Sequence, residues 1–257
     1  MIPEIFSLEG RTAIVIGAGG HICSALAKGF AMAGANVAVA DLRLEKSETV
    51  SKQINEIYPN STLPFQVDAS DKKSIYSLLD EVQGKFGVIQ VAINGAGINS
   101  PKPFLDIEVS EWEDVINSQL TATMFGCQVF GEHMLQNSGG SIINISSASA
   151  DPGLSKAFAY SAAKAGIRNL TQNLGREWGT NGVRVNAIRP GFFPTDWNRK
   201  NFITPERERS ILGHTPMNRY GETSELIGAA IYLASDASSF VTGAELVVDG
   251  GFSAMTI

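Results

Sequence analysis

Cysteine is scarce in this chain: 257 residues hold two, Cys23 and Cys127. Two such distant thiols give neither a disulfide framework nor a metal-ligand spacing. A reducing, cytoplasmic setting is the simpler expectation, with no metal. Basic residues are outnumbered, 20 Lys and Arg against 26 Asp and Glu, for a formal net charge of −6. With a pI near 5.2, that balance argues against nucleic acid or an anionic membrane as the main partner. No apolar run reaches the ~18 residues of a spanning helix. The stretch Met1–Phe6 lacks the basic region and long apolar run of a signal peptide. There is no Pro/Ser-rich linker, low-complexity tract or short repeat, so one domain over 1–257 is expected, within the ~250 residues an α/β domain reaches.

What is present alternates. Short apolar runs at Thr12–Ile16, Asn36–Ala40, Leu63–Val67, Val88–Asn94, Gly140–Ile145, Arg184–Ile188 and Glu245–Val248 read as strands. They are largely unbroken by charge, as in a parallel sheet covered on both faces. Helical patterns lie between them, near 22–34, 45–57, 71–86, 110–135, 157–179 and 223–234. This repetition predicts a single-domain α/β fold, a Rossmann-type doubly wound parallel sheet with helices on both faces. The stretch 190–220 breaks the alternation with Pro, aromatics and cations. Long excursions after strand C-termini lie over the ligand crevice of such sheets, so a substrate lid is expected there.

Two regions carry chemistry. From Thr12 to Cys23 the chain reads as a strand, a turn with Gly17, Gly19 and Gly20, and a helix start. Glycines let backbone N–H groups approach a pyrophosphate at a helix N-terminus. Asp41 follows Gly17 by twenty-four residues, near the spacing of an acid that accepts from a ribose 2′-hydroxyl. A carboxylate there repels a 2′-phosphate, so NAD is expected over NADP, with Arg43 the complication. The second region ends a strand at Ser147 and continues to Tyr160 and Lys164. The last two are four residues apart, one face of a helix. A phenol, with a pKa of about 10 in water, is expected to be pulled down by a neighbouring ammonium. It then exchanges a proton with an alcohol or ketone, while Ser147 holds the substrate oxygen.

Together these residues resemble the short-chain dehydrogenase/reductase family over nearly the full chain. The family's Gly-rich turn matches Gly17, Ala18, Gly19, Gly20, His21, Ile22 and Cys23. Its Asn-Asn-Ala-Gly motif matches Asn94, Gly95, Ala96 and Gly97. Its adenine-side Asp falls on Asp68, followed by Ala69, and its Ser, Tyr and Lys fall on Ser147, Tyr160 and Lys164. Its Pro-Gly and nicotinamide-contacting Thr fall on Pro190, Gly191 and Thr195, with Phe193 between. The resemblance implies an NAD-dependent alcohol/ketone oxidoreductase in which Lys164 also binds ribose. It implies a homotetramer or homodimer, since the run from Phe240 to Gly251 commonly helps build family tetramers. Two departures stand out. His21 and Cys23 replace the second and third turn glycines; His21 either narrows the site or leans outward toward a phosphate. Gln119 takes the register of the family's fourth catalytic residue, an Asn, with Asn117 two residues earlier.

Several local runs are similar to a D-mannonate oxidoreductase (fructuronate reductase)-like subgroup, which implies a small polar substrate: a sugar acid or related polyol. Lys102 and Arg199 are the expected carboxylate partners. Asn99, Asn198 and His214, with Ser147, are the expected hydroxyl partners. The competing function is a catalytically silent NAD(H)-binding sensor or scaffold, kept open by His21 and Gln119.

Overall fold

The computed structural model describes residues 4–151, 153–195, 199 and 203–255. Seven parallel strands form one sheet: β1 (Thr12–Ile16), β2 (Asn36–Asp41), β3 (Thr62–Gln66), β4 (Val91–Asn94), β5 (Gly140–Ile145), β6 (Val183–Pro190) and β7 (Glu245–Val248). Their order is β3-β2-β1-β4-β5-β6-β7. The order reverses between β1 and β4, and the crevice at such a point is where doubly wound sheets bind ligands. Pro64 lies in β3, a sheet edge where a missing N–H is tolerated.

Side-chain alternation divides the core between the two faces. Ala13, Val15, Val37, Val39, Val91 and Ile93 pack against α1 (His21–Met32) and α8 (Ile227–Ala234) through Leu26, Phe30 and Leu233. Ile14, Ile16, Ala38, Ala92 and Ile142 pack on the other face against Leu78, Val82, Val129 and Phe130. Those belong to α3 (Lys72–Phe86) and α5 (Ala122–Gln136). The remaining helices are α2 (Leu44–Asn55), α4 (Val109–Ile116), α6 (Phe158–Trp178) and α7 (Pro205–Gly213).

Two elements differ from expectation. The strand predicted over Val88–Asn94 begins only at Val91, because the Ile89 N–H is taken by buried His133 Nε2 at 3.1 Å. The helix predicted over 110–135 is interrupted by a π turn, Asn117–Thr121, between α4 and α5. The stretch 190–220 contains α7. Thr204 caps α7 by accepting from Arg207 N–H at 3.2 Å.

Candidate active site

The β1–α1 turn is folded tightly against its neighbours. Gly17 has φ 82, and a Cβ there would meet the Ala96 nitrogen at 2.9 Å. Its N–H and that of Ala18 both donate to Ala40 O, at 2.8 and 3.0 Å, which pins the turn to β2. Asp41 closes β2 and accepts from Gly19 N–H at 3.0 Å and Arg43 N–H at 3.1 Å. Its carboxylate therefore faces the turn rather than capping a helix. Gly20 and His21 are exposed at the start of α1. These features fit a dinucleotide laid across the ends of β1 and β2.

A cavity of about 580 Å³ lies between the start of α1 and α6. It is lined by Ile22, Gly95, Asn99, Gln119, Ser147, Tyr160, Lys164, Gly191 and Phe193, all nine expected from sequence. Lys164 is buried and donates from Nζ to Ile145 O at 2.6 Å, with Nζ 5.4 Å from the Tyr160 ring centre. Burial lowers its pKa to about 8. Burial also raises the Tyr160 phenol, while a hydrogen bond with Ser147 works the other way. The phenol therefore stands above its ordinary value rather than below it, because desolvation outweighs the Ser147 hydrogen bond.

Ser147 is clamped from both sides. Ser146 Oγ donates to Glu245 Oε1 at 2.6 Å. Arg189 donates to Ala148 O and to Glu245 Oε2, both at 3.4 Å. Glu245 also faces Arg168 Nε at 3.5 Å. One ion pair, largely buried, therefore holds both neighbours of Ser147.

Other expected residues lie outside the cavity lining. Asn94 is buried in a polar chain, donating to Asn144 Oδ1, whose amide donates to Thr171 Oγ1, each at 3.0 Å. Asp68 accepts from Ser70 N–H at 2.9 Å, ahead of α3. Ala69 and Ala96 pack on the second core face. Pro190 ends β6, and Thr195 O accepts from Arg199 N–H at 2.9 Å.

The expected substrate cations are placed differently. Lys102 is ion-paired with Glu111, and the Arg199 guanidinium stacks over the Tyr220 ring at 4.7 Å. His214 packs edge-on against Phe252, with ring centres 4.8 Å apart. None of the three lines the cavity, and Asn198 lies outside the described residues. In their place Lys156 and Arg207 do. Sequence reading missed both, although Ile203, Arg207 and Ile211 recur at the four-residue spacing of one helix face.

The family model described as enoyl-(acyl carrier protein) reductase, adh_short_C2, matches residues 17–253. A D-threitol dehydrogenase of Mycolicibacterium smegmatis is 34% identical, over 96% of this chain and 95% of its own. A candidate D-mannonate oxidoreductase from Haemophilus influenza, solved with bound NAD, superposes with a TM-score of 0.92. It is 37% identical over 97% of each chain. A gluconate 5-dehydrogenase from Burkholderia cenocepacia, in complex with NADP and tartrate, also has a TM-score of 0.92. It is 31% identical over 98% of this chain and 99% of its own. The chain belongs to the short-chain dehydrogenase/reductase family.

As a short-chain dehydrogenase/reductase it is an oxidoreductase acting on CH–OH groups, interconverting a secondary alcohol and a ketone. Its departures from the family pattern are accommodated locally. The Cys23 thiol is buried 3.9 Å from Gly95 O, and a Cβ on Gly95 would collide with Cys23 Sγ. Helix and strand therefore pack closely around sulfur. Burial holds the Cys23 and Cys127 thiols up at about 12. Gln119 sits in the π turn, a feature frequent at functional sites. Its Nε2 donates to Ile98 O at 2.8 Å, and its Oε1 is buried with no partner among the described residues.

Proposed function

We propose that this short-chain dehydrogenase/reductase uses NAD, in preference to NADP, on a sugar acid, sugar or polyol. The observation that carries this reading is the cavity holding Ser147, Tyr160 and Lys164, which Ile22 and Cys23 of α1 also line. The related proteins named for D-threitol, D-mannonate and gluconate support the substrate class. Gly17, Gly19, Gly20, His21 and Ile22 hold the pyrophosphate side, and Asp41 accepts from the adenosine ribose. Asp68, with Ala69, would lie on the adenine side, and Asn94, Gly95 and Ala96 would border the cofactor. Thr195 would contact the nicotinamide, with Pro190, Gly191 and Phe193 beside it on the cofactor. Bound NAD supplies the hydride-accepting ring, and NADH the hydride.

The chain's own residues do the rest. Ser147 Oγ fixes the substrate oxygen. Tyr160 Oη gives a proton to the ketone oxygen in reduction and takes it from the alcohol in oxidation. Lys164 donates one hydrogen bond to Ile145 O and has others for the cofactor ribose. Its charge also stabilises a Tyr160 phenolate. Gln119 supports proton transfer, and the stretch 190–220, which contains α7, acts as the substrate lid. β7 is an open sheet edge with Val247 exposed, which suits a homotetramer or homodimer. Both free thiols suit a cytoplasmic enzyme.

The test is an NADH absorbance screen across sugar acids, sugars and polyols. Tyr160→Phe should then lower turnover about 10²–10⁴-fold while NADH binding persists. Near-normal turnover in that variant would remove Tyr160 from the chemistry. NADH binding with no turnover across the panel would favour the silent sensor or scaffold.

A further inference from the structure

Three charged side chains line the cavity among the described residues, and all three are cations: Lys156, Lys164 and Arg207. Among the described residues no carboxylate lines it. Lys164 is committed, buried beside Tyr160 with its ammonium on Ile145 O. The other two have no assigned task. We propose that Lys156 and Arg207 form an anion subsite that selects a substrate bearing a carboxylate away from the reacting carbon. This rests on the redox reading above and narrows it to polyhydroxylated acids.

Each cation is placed against local preference. Arg207 lies in the first turn of α7, where the helix dipole disfavours positive charge. Glu206 and Glu208 beside it are exposed. Arg207 itself is half-buried, on the face that brings Ile203 and Ile211 to the same cavity. It forms no ion pair with any described carboxylate. Its planar fork suits bidentate contact with a carboxylate. Lys156 has φ 55, the left-handed region that a non-glycine residue occupies at a steric cost, and such strain gathers at ligand sites. That turn sets Lys156 at the cavity just ahead of α6. It too has no described ion-pair partner.

The rest of the lining suits the remainder of such a molecule. Gln119 Oε1 is an acceptor buried without a partner. A buried acceptor of this kind costs free energy until a donor reaches it, and a substrate hydroxyl is one. Asn99, also on the lining, offers both a donor and an acceptor. The cations thus fix the charged end, while Gln119 and Asn99 take hydroxyls nearer Ser147 and Tyr160.

The experiment compares pairs that differ only at the end group: D-gluconate against D-glucitol, and D-mannonate against D-mannitol. Glucose 6-phosphate serves as the phosphate arm. Wild-type kcat/KM should favour the aldonates. Arg207→Gln should lower the aldonate-to-hexitol ratio of kcat/KM about 10–100-fold, the range for a lost hydrogen bond to a charged group. The loss should fall in KM rather than kcat, with partial rescue in Arg207→Lys. Lys156→Asn, which tolerates the left-handed backbone, should lower the same ratio. Equal losses on both substrates, a wild-type preference for hexitols or the phosphate, or loss of NADH binding in the variants would each overturn the subsite. Inactivity of the wild type on every substrate, with NADH still bound, would overturn the redox reading and the subsite together.

Discussion

Replacing Glu245 with Ala removes the carboxylate that two buried groups, Arg189 and Ser146, share. The Arg189 side chain is only 6% exposed, and Ser146 is 1% exposed. Removing one member of a buried ion pair costs about 3–5 kcal/mol, because the other charge stays buried without compensation. For a chain of this size each kcal/mol moves Tm by about 2–4 °C, so the expected fall is about 6–20 °C. Glu245→Gln keeps an acceptor for Ser146 Oγ and should cost less. Glu245→Ala combined with Arg189→Met removes the stranded guanidinium as well and should recover most of the loss. Thermal unfolding at fixed protein concentration measures all three, with kcat measured in parallel, because the pair holds both neighbours of Ser147. A fall of less than about 1 kcal/mol in Glu245→Ala would be the behaviour of a solvated surface pair. It would refute the clamp.

Four other outcomes follow from the site and its supports. Wild-type kcat/KM should favour NAD over NADP, and Asp41→Ala should narrow that preference about 10–100-fold; an NADP preference in the wild type would instead implicate Arg43. His133 is held below its ordinary pKa by burial, so its share of stability is present above about pH 6.5 and is lost as pH falls below it. Urea midpoints measured from neutral to mildly acid pH should drop more steeply in wild type than in His133→Gln, and parallel slopes would remove His133 as the cause. Gln119→Ala should lower kcat at least about fivefold, the value of one hydrogen bond, with less effect on NADH binding. A rise in activity in Gln119→Asn would mark the natural residue as a weakened relay. The raised Tyr160 phenol predicts ketone-reduction kcat/KM that holds from pH ~6 to ~8; a fall across that window would show that the phenol has already lost its proton.

The fold was legible because a sheet covered on both faces needs uninterrupted apolar strands, and such strands announce themselves as short runs such as Ala13–Ile16. The Gly-rich turn and Ser147, Tyr160 and Lys164 were legible because their spacing is local. What escaped depends on contacts between distant segments. His133 ends the pairing of Ile89 from forty-four residues away. The π turn at Gln119 leaves the same helical periodicity on either side. Surface charge is the hardest to read, since a cation's direction depends on what meets it. Glu111 captures Lys102, and Tyr220 captures Arg199. Arg207 was readable only through its spacing with Ile203 and Ile211.

Burial sets the resting proton inventory of the site. It raises Tyr160 and lowers Lys164, so both shifts favour the uncharged forms. That follows from placing a phenol and an amine side by side away from water, where each charge alone is penalised. The phenol accordingly keeps its proton through neutral pH, which is the form that donates to a ketone. Lys164, with its pKa at about 8, is still largely an ammonium at neutral pH and can stabilise a phenolate when the alcohol must lose its proton. Above about 8 that support is withdrawn. The same burial that prepares Tyr160 for reduction therefore limits, through Lys164, how far alkaline pH can favour oxidation.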